Sequence, residues 1–207
     1  MPVSATNFRA SSGSVRKSAL PSFNVPSLPS SASTDAPVRR RKVRLNTVVQ
    51  KAIERARRDH PHAGDRLHSA LDPTASQVAG DPNLLEEALA AVLANALQAI
   101  EDNGGTVTVT TSRGEGVVEV VVADTGRGMS AEEVERALDP FFTTREAGQG
   151  MGLGLSISYA IIKRHGGEMT LESIPGRGTT VRMSLPAPGA RLLSHGAVRR
   201  PGGLKDS

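Results

Sequence analysis

Apolar residues recur at helical spacing at Leu45, Val48, Val49, Ala52, Ile53 and Ala56, which predicts a helix over Val43–Arg58, ended by His60-Pro61. Asp65–Leu71 reads as a short strand. A second helix opens at Asp81-Pro82, with Asp as N-cap acceptor and Pro at the first helical position. Leu85, Ala88, Leu89, Val92, Ala96, Ala99 and Ile100 give it an apolar stripe, and Gly104-Gly105 stops it. The period then switches. Thr106–Ser112 and Val117–Ala123 are β-branched runs flanking Arg113-Gly114-Glu115-Gly116, a predicted hairpin. After a polar stretch from Asp124 to Met151, with a short helix over Ala131–Leu138, the pattern predicts a helix over Leu153–His165. Gly166-Gly167 closes that helix, and Lys163, Arg164 and His165 sit at its negative end. Met169–Ser173 and Thr179–Leu185 form a second predicted hairpin around Pro175-Gly176-Arg177-Gly178. Elements in this order predict a mixed sheet with helices layered on one face.

This patterned region, residues 39–188, is the expected domain of the 207-residue chain. Residues 1–38 are rich in Ser, Pro and Ala without an apolar period, and residues 189–207 read the same way. Both are expected to be disordered tails, since neither can bury enough surface to offset chain entropy. No apolar run reaches the roughly 18 residues of a membrane span, and the first residues lack the pattern of a secretory signal. The absence of cysteine excludes disulfide scaffolds and thiolate metal sites and fits a reducing cytoplasm, the expected location. Much of the positive charge lies in Arg39, Arg40, Arg41, Lys42 and Arg44, echoed by Arg55, Arg57 and Arg58. With one Tyr, four Phe and no Trp there is no stacking platform for bases, so this run is read as a solvated linker and not as a nucleic-acid or membrane contact.

Candidate chemistry starts on the long helix. Glu87, Ala91, Asn95 and Gln98 share a ridge at the margin of its stripe. An Asn there can offer an amide oxygen to Mg²⁺, which takes few protein ligands beside phosphates, or it can simply be a polar rim residue. Asp124 ends a β-branched run and precedes Thr125-Gly126-Arg127-Gly128. A desolvated carboxylate at a strand end needs a donor, and the exocyclic amine of adenine is one; an Asx-capped turn is the alternative. Gly148-Gln149-Gly150-Met151-Gly152-Leu153-Gly154-Leu155-Ser156 runs into a helix and suits polyphosphate, through exposed N–H groups and the positive helix end. Neither the dinucleotide fingerprint nor the P-loop ending is present. Between the two glycine regions stand Phe141 and Phe142, a lid latch or a small satellite core.

In this order the motifs resemble the catalytic, ATP-binding domain of two-component sensor histidine kinases, in the wider ATPase group shared with gyrase, Hsp90 and mismatch-repair proteins. Leu93–Ala99 resembles the Asn-bearing helix motif, Asp124–Met129 the first glycine box, Asp139–Arg145 the phenylalanine box, Gly148–Leu155 the second glycine box, and Gly176–Thr180 the late Gly-Thr turn. The likeness spans Val43–Pro186. It implies a two-layer α/β sandwich of the Bergerat type, with a mostly antiparallel mixed sheet and helices on one face. It also implies ATP and Mg²⁺ as cofactors. Asn95 would hold the metal and Asp124 the adenine amine. The remaining nucleotide contacts would come from Gly126, Gly128, Met129, Phe142, Thr143, Thr144, Gly150, Met151, Gly152, Leu153, Gly154, Leu155 and Thr179. No catalytic side chain is assigned beyond these.

The chain departs from the family pattern at two points. Ala91 stands where the helix motif usually carries a second Asn, and where ATP-hydrolysing relatives place Glu, so hydrolysis is disfavoured and phosphoryl transfer expected. The five His are followed by Pro61, Ala63, Ser69, Gly166 and Gly196, none of them acidic, so the acceptor histidine is expected on a partner chain, ahead of a response regulator. A non-catalytic ATP-binding regulatory module and an anti-sigma-type serine kinase remain as alternatives.

Overall fold

The computed structural model describes residues 41–62, 64–75, 77–101, 104–144 and 151–188. In chain order the elements are β1 (Arg41–Arg44), α1 (Leu45–Asp59), β2 (Leu67–Leu71), β3 (Gln77–Gly80), α2 (Pro82–Ala99), β4 (Val107–Arg113), β5 (Val117–Asp124), α3 (Ala131–Arg136), α4 (Gly154–Arg164), β6 (Glu168–Ile174) and β7 (Gly178–Pro186). Five strands form one sheet in the order β2-β4-β5-β7-β6, with β2 parallel to β4 and every other pair antiparallel. β1 and β3 make a separate antiparallel ribbon.

Period-two burial orients the sheet. Val107, Val109, Val118, Val120, Val122, Val181, Met183 and Leu185 are buried in one core cluster with the apolar faces of α1 and α2 and with Ile162 of α4. The intervening Thr108, Ser112 and Arg182 are exposed on the other face, where Arg182 Nη1 lies 3.7 Å from Glu119 Oε2. The result is the expected two-layer α/β sandwich with helices on one face.

Three local readings of the sequence are corrected. Val43 and Arg44 belong to β1, so the first helix begins at Leu45. Asp65 and Arg66 lie in a 3₁₀ turn that precedes β2. The ribbon of β1 and β3 had no predicted counterpart, because each strand has four residues and too few alternations to register as a pattern. Both predicted tails, and with them Arg39 and Arg40, lie outside the described residues.

His165 ties the helical layer together. It is buried just past α4; Nδ1 lies 2.7 Å from the Ile161 carbonyl, and Nε2 accepts from the Asp81 backbone N–H at 3.0 Å. These roles define the neutral Nδ1–H tautomer. The ring thereby joins the end of α4 to the N-cap residue of α2. We expect His165→Ala to lower stability by about 2–4 kcal/mol, from the cavity and the orphaned Asp81 N–H together, read as a lower urea midpoint with an unchanged m-value.

Candidate functional site

The last turns of α2, the end of β5 and the start of α4 surround a cavity of about 300 Å³, at the small end of ligand pockets. α2 starts after Asp81, its N-cap, whose Oδ1 accepts from the Asn83 N–H at 2.9 Å and the Leu84 N–H at 3.5 Å. Its apolar stripe packs into the core, while Val92 and Ala96 of that stripe, with Asn95, Gln98 and Ala99, also line the cavity.

The loop after β5 is held by backbone on both sides. The Thr125 N–H donates to the Thr106 carbonyl at 3.0 Å, the Arg127 N–H to the Ala99 carbonyl at 3.2 Å, and the Gly176 N–H to the Arg127 carbonyl at 2.7 Å. Ser173 Oγ accepts from the Met129 N–H at 2.9 Å and also contacts Thr179 Oγ1 at 2.9 Å. The β6–β7 turn therefore clamps the first glycine loop. Gly128 is required there: its φ is +64°, and a Cβ would lie 2.0 Å from the Ile174 carbonyl oxygen.

Asp124 is 8% exposed and lines the cavity. Its Oδ1 accepts from the Gly126 N–H at 2.8 Å and the Thr179 N–H at 3.2 Å. Among the described residues no donor meets Oδ2. Burial pushes this carboxyl above the usual range, and the two backbone donors offset part of that rise.

α4, whose first residues line the same cavity, begins at Gly154 after Leu153, which makes no side-chain cap. The first-turn N–H groups and the helix dipole thus lie beside the cavity, where they favour an anion. A Cβ at Gly154 would stand 3.2 Å from Asn95 Nδ2, so the Asn95 amide sits against this first turn. Among the described residues no three His, Cys, Asp or Glu side chains form a metal cage. A single amide oxygen nevertheless fits Mg²⁺, which keeps its waters and takes phosphate oxygens.

The structure brings Asn95, Asp124, Gly128, Met129, Phe142, Thr143, Thr144, Met151, Gly152, Leu153, Gly154, Leu155 and Thr179 to one cavity. Gly126 does not line it, but holds Asp124 through its N–H. Gly150, with Arg145 and Gly148, lies outside the described residues. The two phenylalanines part company: Phe142 lines the cavity under the Arg136 guanidinium, 4.4 Å from the ring centroid, whereas Phe141 is 74% exposed at φ +67°.

Sequence reasoning missed the apolar walls Val92, Ala96, Val122, Leu171 and Val181 and the polar Arg127. Val92 and Ala96 were read as part of the apolar stripe of α2, and Val122, Leu171 and Val181 only as residues of predicted strands. Arg127 was visible only as a residue between two glycines. Its Nη2 donates to Thr144 Oγ1, and its Nη1 lies 3.5 Å from Glu133 Oε1. Glu133 in turn closes the capping box of α3 by accepting from the Ser130 N–H at 2.7 Å.

Fold and site together define an α/β sandwich domain with a ligand cleft between its helices and one strand end. Residues 80–189, more than half of the chain, match the family described as histidine kinase-, DNA gyrase B-, and HSP90-like ATPases. Histidine protein kinase DivJ of Caulobacter vibrioides is 42% identical over 141 residues, which cover 67% of this chain and 24% of that protein. Sensor histidine kinase ZraS of Klebsiella oxytoca is 32% identical over 154 residues, covering 74% and 33% respectively. Among solved structures, the mycobacterial sensor histidine kinase MprB superposes with a TM-score of 0.61 at 27% identity, over 72% of this chain and 97% of that one. The chain belongs to this ATPase family, and its domain is of the histidine-kinase ATP-binding type. It spans about a quarter to a third of the length of the two kinases it matches by sequence.

Proposed function

We propose that the domain, bounded at about residues 39–188, binds ATP with Mg²⁺ in this cleft and transfers the γ-phosphoryl group to a histidine on a partner chain, from which a response regulator receives it. One observation carries the reading. A buried strand-end carboxylate, with Oδ2 free of donors among the described residues, shares a single cavity with a helix N-terminus whose N-cap residue, Leu153, makes no side-chain cap. The first suits a base amine and the second a polyphosphate.

In this account Asp124 Oδ2 accepts from the exocyclic amine of adenine, while Gly126 and Thr179 keep the carboxylate in place. Met129, Phe142, Leu155 and the α2 rim enclose the base and ribose. Gly152, Gly154 and their neighbours Met151 and Leu153 present backbone to the phosphates, and Thr143 and Thr144 border them. Asn95 would hold Mg²⁺, which supplies charge neutralisation to the phosphates when bound. The acceptor imidazole is the nucleophile, so this chain contributes position and electrostatics. The transfer needs no general base from this domain. The absence of cysteine supports a cytoplasmic setting.

The direct test mixes the protein with γ-labelled ATP, Mg²⁺ and a helical-hairpin domain bearing a histidine. Acid-labile phosphate on that histidine is expected, and we expect Asn95→Ala to lower transfer by about tenfold or more. Absence of label on the partner, with ATP binding intact, would leave the regulatory-module reading, which Ala91 favours because it gives Asn95 no polar neighbour one turn back. Acid-stable phosphoserine on a small partner would support the anti-sigma type instead.

A further inference from the structure

Arg127 is the one cation among the described residues that line the cavity. Asp124, the one described acid there, is committed through Oδ1 to backbone donors. A polyphosphate entering this cleft brings several negative charges into a space otherwise lined by apolar side chains, amides, hydroxyls and backbone. Helix-end N–H groups offset part of that charge. The remainder calls for a cation, and a guanidinium suits the task because its fixed fork of five donors matches phosphate oxygens bidentately.

Arg127 is placed to respond without being locked away. It is half exposed, and its contact to Glu133 is long, at 3.5 Å. Glu133 already has its other oxygen committed to the Ser130 N–H at 2.7 Å. The Nη2 partner, Thr144 Oγ1, is uncharged. The backbone beneath the side chain is fixed: the Arg127 N–H donates to Ala99 and its carbonyl accepts from Gly176, at 3.2 and 2.7 Å. A swing of the side chain therefore leaves the glycine loop in place. What changes is the hold on Thr144 and on the first turn of α3.

We propose that Arg127 is a phosphate-binding residue of the cleft, and that its present contacts to Thr144 and Glu133 couple the number of phosphates on the bound nucleotide to those two segments. The assignment rests on the ATP-site reading above and adds to it which side chain meets the phosphate charge.

The test compares wild type, Arg127→Met and Arg127→Lys by calorimetric titration with ATP, ADP, AMP and adenosine in Mg²⁺ buffer. For Arg127→Met, adenosine affinity is expected to stay within about twofold, while ATP affinity falls by about tenfold to a hundredfold, with ADP and AMP between them. Arg127→Lys should restore part of the ATP affinity and none for adenosine. An equal loss across all four ligands overturns the proposal, because that is the mark of base stacking or a purely structural role. An unchanged ATP affinity overturns it as well. Wild type that binds none of the four removes the ATP site itself, an outcome distinct from either.

Discussion

Asp124→Asn is expected to weaken ATP binding by about a hundredfold while leaving the fold as stable as wild type at neutral pH, or slightly more so. The asparagine keeps the shape. Its Oδ1 can still accept from the Gly126 and Thr179 N–H groups, which hold the present carboxylate at 2.8 and 3.2 Å. The amide NH₂ then replaces Oδ2 and presents a donor to the donor amine of adenine. A lost charge-assisted hydrogen bond together with an opposed pair of donors amounts to about 3 kcal/mol, or roughly two decades in Kd. Stability moves the other way. Burial holds the Asp124 carboxyl above its unfolded value, so protonation favours the fold. That contribution is complete below the unfolded carboxyl's range and is lost as pH rises through the folded value. At neutral pH the wild type bears a desolvated charge that the variant lacks. Urea midpoints of the two proteins should therefore diverge in favour of Asp124→Asn as pH rises from about 3 to 6. ATP affinity of the wild type should increase over the same interval, because only the ionised carboxylate accepts through both oxygens.

Gly178→Ala is expected to be the most damaging single methyl in the domain. Gly178 opens β7 at φ +93°, and a Cβ there would lie 1.9 Å from the Asp124 carbonyl oxygen and 2.8 Å from Thr125 Cα. Both obstacles are backbone, so neither can rotate aside. The unfavourable φ and the forced separation together cost about 3 kcal/mol or more. Because the displaced segment carries the Asp124 carboxylate and the Thr179 N–H, folded molecules should also bind ATP poorly. A urea titration reads the first effect, and calorimetry on the folded fraction reads the second. A substitution at Gly176, whose Cβ would meet nothing within 4 Å at φ +73°, separates the two causes. There only the backbone strain applies, and the loss should be about 1 kcal/mol.

Elements bounded by glycine or proline and long enough to show a period were legible in the sequence. α2 shows its Asp-Pro start and stripe, the first hairpin shows β-branched runs, and both hairpins surround glycine-rich turns. β1 was not legible, because Arg41-Lys42-Val43-Arg44 offers one apolar residue and reads as a charge run. Its partner Gln77–Gly80 is equally short, so the ribbon is set by tertiary pairing alone. For the site, the order of Asn95, Asp124 and the glycines pointed to one ligand, since backbone approach and helix-end chemistry leave residue-type signatures. The apolar walls left none, because a core valine and a cavity-lining valine look identical in sequence. Phe141 and Phe142 illustrate the same limit. Adjacent and chemically identical, they differ in exposure because Phe141 adopts a left-handed backbone, its N–H donating to the Gly152 carbonyl at 3.0 Å.

The central claim is that the cleft reads an adenine amine through Asp124. Calorimetric titration of wild type and Asp124→Asn with ATP and with inosine triphosphate, which replaces that amine by a carbonyl, tests it most directly. The account predicts that wild type prefers ATP by about thirtyfold or more, and that Asp124→Asn loses or inverts the preference. Equal affinity of wild type for the two nucleotides, or a preference that survives Asp124→Asn, would contradict it.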